Sequence, residues 1–190
     1  MKMNIEIKLV LPTNEFVTQI EEYKRKFLDE KSGSVALQSM PGCGNLEKQT
    51  VDEWIAECND HSFGRNLPDG YVSATQFIAM RKADSKLVGM IQVRHKLTPF
   101  LERIGGHIGY SIAPDERRKG YATQMLTLAL DKCRELGIER VRVTCIKENI
   151  ASAKVIQNCG GKFDGEAEYD GEFPQNKGKI FYRYWIDLAK

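Results

Sequence analysis

Apolar and polar residues alternate from Asn4 to Val10, a period of two that predicts a first strand. Thr13 or Asn14 can then cap a helix, because Phe16, Ile20, Tyr23 and Phe27 recur on one helical face. Ser32 to Gly44 is rich in Gly, Ser and Pro and reads as a loop. Thr50-Val-Asp-Glu53 has the form of a capping box, with Trp54, Ile55 and Cys58 on the buried side of a short helix. His61 to Gly70 is again turn-rich. From Ala74 the alternation returns. Gln76 to Arg81 and Leu87 to His95 read as strands joined by a hairpin turn at Lys82-Ala-Asp-Ser85, and Lys96 to Arg103 connects to a third strand, His107 to Ile112. Ala122, Met125, Leu126, Ala129, Leu130, Cys133 and Leu136 mark a long amphipathic helix that Gly137 ends. Arg140 to Ile146 alternates as a strand, and Asn149 to Asn158 is a short helix stopped by Gly160-Gly161. Phe163 to Tyr169 and Ile180 to Leu188 are the last strands.

The order β-α-α-β-β-β-α-β-α-β-β predicts an α/β protein, an α+β arrangement of one mixed sheet with helices on both faces. A chain of 190 residues suits a single domain spanning 1–190. The formal net charge of +2 is too small to argue for nucleic acid. No apolar run approaches a membrane span, and the N-terminus lacks a signal peptide's apolar core. Five scattered cysteines without C-x-x-C spacing indicate neither disulfides nor zinc, and the expected compartment is the cytoplasm.

The chemistry concentrates between Ile108 and Leu126, where a strand, a basic loop and a helix start follow one another. The first N–H groups of a helix have no partner within it, and the helix dipole adds positive potential there. Arg117, Arg118 and Lys119 add full charges, while Gly120 lets a phosphate approach the backbone. Neither the dinucleotide fingerprint nor the Walker pattern is present. Arg117-Arg-Lys-Gly-Tyr-Ala122 instead fits [QR]-x-x-G-x-[GA].

That pattern resembles the acyl-coenzyme A pyrophosphate loop of the GNAT superfamily of N-acetyltransferases. Asn149 and Ser152, at the start of the helix after the next strand, match positions that bind the pantetheine arm in that superfamily. Gly160-Gly-Lys-Phe163 matches its helix-to-strand turn, although Asn149 and Ser152 also suit plain helix capping. The resemblance is specific from about Gly89 to Phe163. It implies a cofactor-binding core over 74–190 and a variable acceptor side over 1–70. It also implies acetyl-coenzyme A as acyl donor, without a metal, held by Ser111, Ile112 and Ala113 on a splayed strand. The loop and helix start would contribute Arg117, Arg118, Lys119, Gly120, Tyr121, Ala122 and Thr123. A backbone N–H near the splay would polarise the thioester carbonyl.

The implied reaction is direct attack of a primary amine, of a small molecule or a peptide, on acetyl-coenzyme A in a ternary complex. Many relatives place a Glu on the strand before the loop. Here His107 is the nearest titratable group, followed by His95 and Glu102, and a water chain is the remaining alternative. The superfamily's frequent thiolate acid is a Tyr, where this chain has Ile156; Tyr121, Tyr110 and Tyr169 are the possible substitutes. Cys145 reads as a buried small hydrophobe. Asp52, Glu53, Trp54 and the acidic run Asp164 to Glu172 could attract a cationic acceptor, or could be ordinary surface. The expected assembly is a monomer or homodimer, without nucleic-acid or membrane partners. A non-catalytic acyl-coenzyme A sensor is the rival reading, and a phosphotransferase lacks its loop and carboxylates.

Overall fold

The computed structural model of the protein describes residues 6–31, 40–171 and 176–188. Its strands are β1 (Ile7–Val10), β2 (Ala74–Arg81), β3 (Leu87–Arg94), β4 (Ile108–Ile112), β5 (Arg140–Ile146), β6 (Lys162–Glu168) and β7 (Ile180–Asp187). They form one sheet in the order β1-β2-β3-β4-β5-β7-β6. Every neighbouring pair is antiparallel except β4 and β5, which run parallel. The helices are α1 (Val17–Lys31), α2 (Val51–Ser62), α3 (Pro99–Arg103), α4 (Tyr121–Glu135) and α5 (Ile150–Asn158).

The expected order holds, with α3 as an addition. The segment read as a plain connection contains Thr98, whose side chain accepts from the Leu101 N–H, and Pro99 in the first turn. Together they start a one-turn helix, since Pro is preset for that position and Thr satisfies an orphan donor. A second correction concerns Thr13, which has extended backbone but makes no side-chain cap; a 3-10 turn over Asn14–Phe16 leads into α1 instead. The capping box at Thr50 and Glu53 is present with both of its bonds. Gly137 closes α4 at φ +74, with its N–H on the Arg134 carbonyl and that of Ile138 on Cys133, as a left-handed helix stop requires. Asn4 and Ile5 of the first strand, and 32–39 of the loop before α2, lie outside the described residues.

The sheet separates two apolar layers. On one face Met125, Leu126, Ala129 and Cys133 of α4 pack with Ile156 of α5 against Ile91, Val93, Ile108 and Val143. On the other, Ile20, Tyr23 and Phe27 of α1 and Trp54 of α2 pack against Ile78, Met80 and Met90. The apolar stripes read from the sequence are therefore the two buried faces.

The site depends on the centre of the sheet. Between β4 and β5 only Ile108 and Val143 are in register, so the strands part beyond that pair. Alternation along β4 decides which backbone groups are left open. The Ala113 N–H donates to the Val88 carbonyl and the His107 carbonyl accepts from Arg94, so within β4 Gly109 and Ser111 face β3. Tyr110 turns its backbone groups toward the splay and so does the Ile112 N–H, while the Ile112 carbonyl accepts from Arg117 Nε at 3.4 Å.

Candidate active site

The splay leads from Ile108 to the loop ahead of α4. Pro114–Glu116 form a 3-10 turn, Arg118 has a left-handed backbone at φ +63, and Gly120 follows at φ +81. Gly120 is the N-cap residue of α4 and offers no side-chain cap. A Cβ there would meet nothing within 4 Å. The first N–H groups of α4 thus open onto free space, which is the geometry that accepts a phosphate.

The basic side chains divide. Arg118 is exposed beside this cradle. Lys119 instead donates to Glu116 Oε2 at 2.9 Å and to the Asp115 carbonyl at 3.1 Å. Arg117 lies over the Phe27 ring at 5.6 Å and reaches the Ile112 carbonyl at 3.4 Å. Both therefore brace the loop from beneath. The hub that receives Lys119 is Glu116, which is 2% exposed and also receives Arg81 at 2.9 Å and Lys86 at 2.6 Å. Burial pushes its carboxyl up, but the bonds from Lys86 and Lys119 and the nearby cations outweigh that and hold it below the ordinary range.

On the wall of the splay, the Tyr110 hydroxyl bonds Ser152 Oγ at 2.8 Å, joining β4 to the first turn of α5. Asn149 Oδ1 accepts the Ser152 N–H at 3.0 Å, so Asn149 acts as the cap of α5. Burial pushes the Tyr110 phenol well up, and it stays protonated at any working pH. Cys145, on β5 beside Ser152, is pushed up by burial to about 11 and remains a thiol. Ser111 is different: its Oγ faces α1, bonding Tyr23 at 3.0 Å and Cys43 Sγ at 3.4 Å. Of the three strand residues expected to hold the pantetheine, Ile112 alone turns its backbone N–H to the splay, and Tyr110 joins it. Ala122 and Thr123 lie in the first turn of α4.

Both expected catalytic side chains are hydrogen-bonded to their surroundings. His107 is buried at the closed end of the splay, with Nδ1 accepting the Arg142 N–H at 2.9 Å. Its backbone N–H donates to the Arg142 carbonyl at 2.8 Å. Burial, and then the charges of Arg94 and Arg142, push the imidazole down to about 4. In the neutral ring Nε2 carries the proton while Nδ1 is engaged, and the bond to Arg142 ties β4 to β5. Tyr121 is buried, and its hydroxyl accepts from Arg81 at 3.3 Å within the Glu116 cluster, away from the splay. Of the other candidates, His95 bonds Thr75 at 2.8 Å, and Tyr169 is buried against Phe100 and Phe181.

The proposed acidic attractants are largely engaged as well. Asp164 pairs with Arg142 at 2.7 Å, Glu166 with Lys147 at 3.1 Å and Asp170 with Arg103. Glu53 serves the capping box, Trp54 is buried with its indole N–H on the Cys43 carbonyl, and Asp52 is exposed. Glu172 lies outside the described residues. Among the described residues, no group of His, Cys, Asp and Glu could hold a metal ion, and no helix is long and apolar enough to cross a membrane.

A mixed sheet parted at a parallel pair, with an open helix start beyond it, agrees with the acyltransferase architecture that the loop's resemblance implies. A family model for the acetyltransferase (GNAT) domain matches residues 26–162. The chain belongs to the GNAT acetyltransferases, a family of acyltransferase enzymes. Its fold is similar to ribosomal-protein-S5-alanine acetyltransferase from Vibrio fischeri, with TM-score 0.68 and 17% identity over 99% of this chain and 96% of that one. It is also similar to the microcin self-immunity acetyltransferase MccE in complex with acetyl-CoA and AMP, with TM-score 0.67 and 15% identity over 97% and 93%. A dodecameric spermidine N-acetyltransferase from Vibrio cholerae matches with TM-score 0.64 and 17% identity over 97% and 95%. No curated protein sequence matches.

Proposed function

We propose that this protein transfers the acetyl group of acetyl-coenzyme A to a primary amine by direct attack. The observation that carries this reading is the continuity of the Gly120 cradle with the splay that exposes the Tyr110 backbone and the Ile112 N–H. The cradle takes the pyrophosphate on the N–H groups of Tyr121, Ala122 and Thr123, with Arg118 beside them. The pantetheine arm extends β4 in place of the missing pairs to β5, past Ser152. A backbone N–H of the splay polarises the thioester carbonyl. The amine nitrogen attacks the carbonyl carbon, the C–S bond breaks, and the thiolate leaves with its electron pair. Tyr110 donates a hydrogen bond to that developing thiolate. No described side chain at the splay is a free base, so the amine's proton passes to water. The cytoplasm, a single domain and a monomer or homodimer remain part of this proposal.

Calorimetry with acetyl-coenzyme A on the unmodified protein, Gly120→Asp and Gly120→Asn tests the cradle. Asp sets a negative charge at the phosphate position, whereas Asn tolerates the same left-handed backbone without charge. Binding is expected in the unmodified protein, largely kept in the Asn variant and abolished in the Asp variant. Equal affinity in all three removes the assignment of the loop.

A further inference from the structure

Glu116 is the one acid that is buried among the described residues, and it stands just before the Gly120 cap of α4. A negative charge there repels a bound phosphate through space, so its presence beside an anion loop calls for another reason. Its partners supply one. Oε1 accepts from Lys86 at 2.6 Å, and Oε2 accepts from Arg81 and from Lys119, each at 2.9 Å. Arg81 ends β2 and Lys86 lies in the β2–β3 hairpin, so the carboxylate ties the loop to the sheet. Asp115 adds a tie to α1 through Lys26 at 3.1 Å. The Lys119 ammonium is engaged by Glu116 and by the Asp115 carbonyl at 3.1 Å, not at the open position beside Gly120.

The backbone above these ties is strained. Arg118 sits at φ +63, a left-handed conformation that a residue with a Cβ rarely adopts, and Gly120 follows at φ +81. Such a residue persists where its surroundings over-determine it. Arg117 is fixed on the Phe27 ring and the Ile112 carbonyl, and Lys119 is fixed on Glu116. Arg118, between two anchored neighbours, is the residue that must turn, and its side chain is exposed. Without the Glu116 clamp the loop can relax to unstrained conformations, in which Arg118 and the free N–H groups of α4 no longer converge on one phosphate.

Resting on the acetyl-transfer reading above, we infer that Glu116 is a positioning residue for acetyl-coenzyme A: it holds Lys119 beneath the loop and keeps the phosphate-binding turn formed before the cofactor arrives.

Positioning and through-space effects differ in sign. Through space, Glu116→Gln removes a charge that repels the phosphates, which tightens binding. Through positioning, the same substitution loosens the turn, which weakens binding. Lys119 divides in a similar way. The loss of a phosphate ligand is felt with or without Glu116, whereas the loss of a brace is felt only while Glu116 is there.

The test is calorimetry with acetyl-coenzyme A on the unmodified protein, Glu116→Gln, Lys119→Met and the double variant. Affinity should fall about fivefold to tenfold in Glu116→Gln and about threefold in Lys119→Met, with the double variant no weaker than Glu116→Gln alone. Limited trypsin digestion of the cofactor-free proteins reads the turn itself. Relative to cleavage elsewhere in the chain, cutting after Arg117 and Arg118 should be about threefold faster or more in both single variants. Lys119→Met decides alone if Glu116→Gln fails to fold, since weaker binding with unchanged cutting would make Lys119 a phosphate ligand. Tighter or equal binding in Glu116→Gln, a full Lys119→Met effect in the double variant, or unchanged cutting would each overturn the inference. Failure of the unmodified protein to bind acetyl-coenzyme A strikes instead at the acetyl-transfer reading, and the digestion then still decides whether Glu116 holds the turn.

Discussion

At the scale of single residues, the site is decided by which polar atoms already have partners. Tyr110 is the side chain to watch. Its neighbours are Ser152 and the buried thiol of Cys145, and burial keeps its hydroxyl protonated. In the proposed mechanism this protonated phenol donates to the thioester sulfur and does not serve as a base. Tyr110→Phe removes that donor and leaves the ring packing. The expected result is a fall in kcat of about tenfold to a hundredfold with acetyl-coenzyme A affinity nearly kept. An unchanged kcat, measured by thiol release at saturating acceptor, would take Tyr110 out of the chemistry. The amine then has no side-chain base waiting for it, so kcat/KM is expected to rise with pH until the acceptor's own amine is neutral.

At the scale of elements, the cradle is only as firm as the turn that carries it. Glu116 gathers Arg81 from β2, Lys86 from the β2–β3 hairpin and Lys119 from the loop onto one buried carboxylate. Arg81 and Lys86 have second partners in Asp84 and Asp115, so removing the charge leaves them partly compensated. Glu116→Gln should therefore cost about 2 kcal/mol, less than the full penalty of breaking a buried pair. Lys119→Ala, which removes the most exposed cation, should cost well under about 1 kcal/mol. Urea unfolding of the two variants checks this order, and equal losses would show that Glu116 is not the hub. The same contrast explains what could be read in advance. Period-two alternation gives Arg140–Ile146 its bounds, and the loop's glycine and charges mark an anion site, because both are local properties. That Lys119 turns under the loop, or that Arg117 lies on Phe27, depends on strands and a helix far away in the chain. The value of Tyr110 likewise depends on β5 failing to pair beside it, which no pattern within β4 reveals. Thr98-Pro99 did carry a local signal for α3, in the cap and the preset first turn.

At the scale of the whole molecule, His107 couples the closed end of the splay to pH. The native imidazole titrates near 4, while an unfolded one titrates near its ordinary 6.5. Between those values the unfolded chain binds a proton that the native protein does not, so stability must fall as the solution is acidified. The contribution is whole above pH 6.5 and is lost progressively down to about 4, below which both states are protonated. The lowered carboxylates, such as Asp164 and Asp187, act at more acidic pH, where unfolded carboxyls begin to take up protons. His95 is also lowered by burial and shares the same window, so a variant is needed to separate the two. His107→Asn can present an amide oxygen to the Arg142 N–H while removing the titration. Between pH 7 and pH 5 the unmodified protein should lose about 2 kcal/mol through His107, and the variant should be spared most of that loss. Urea unfolding at the two pH values measures the difference. Parallel losses in the two proteins would mean that the β4–β5 lock is not what titrates. A collapse of kcat in a folded His107→Asn protein would instead restore His107 to the chemistry, because a strand lock alone leaves turnover at pH 8 unchanged.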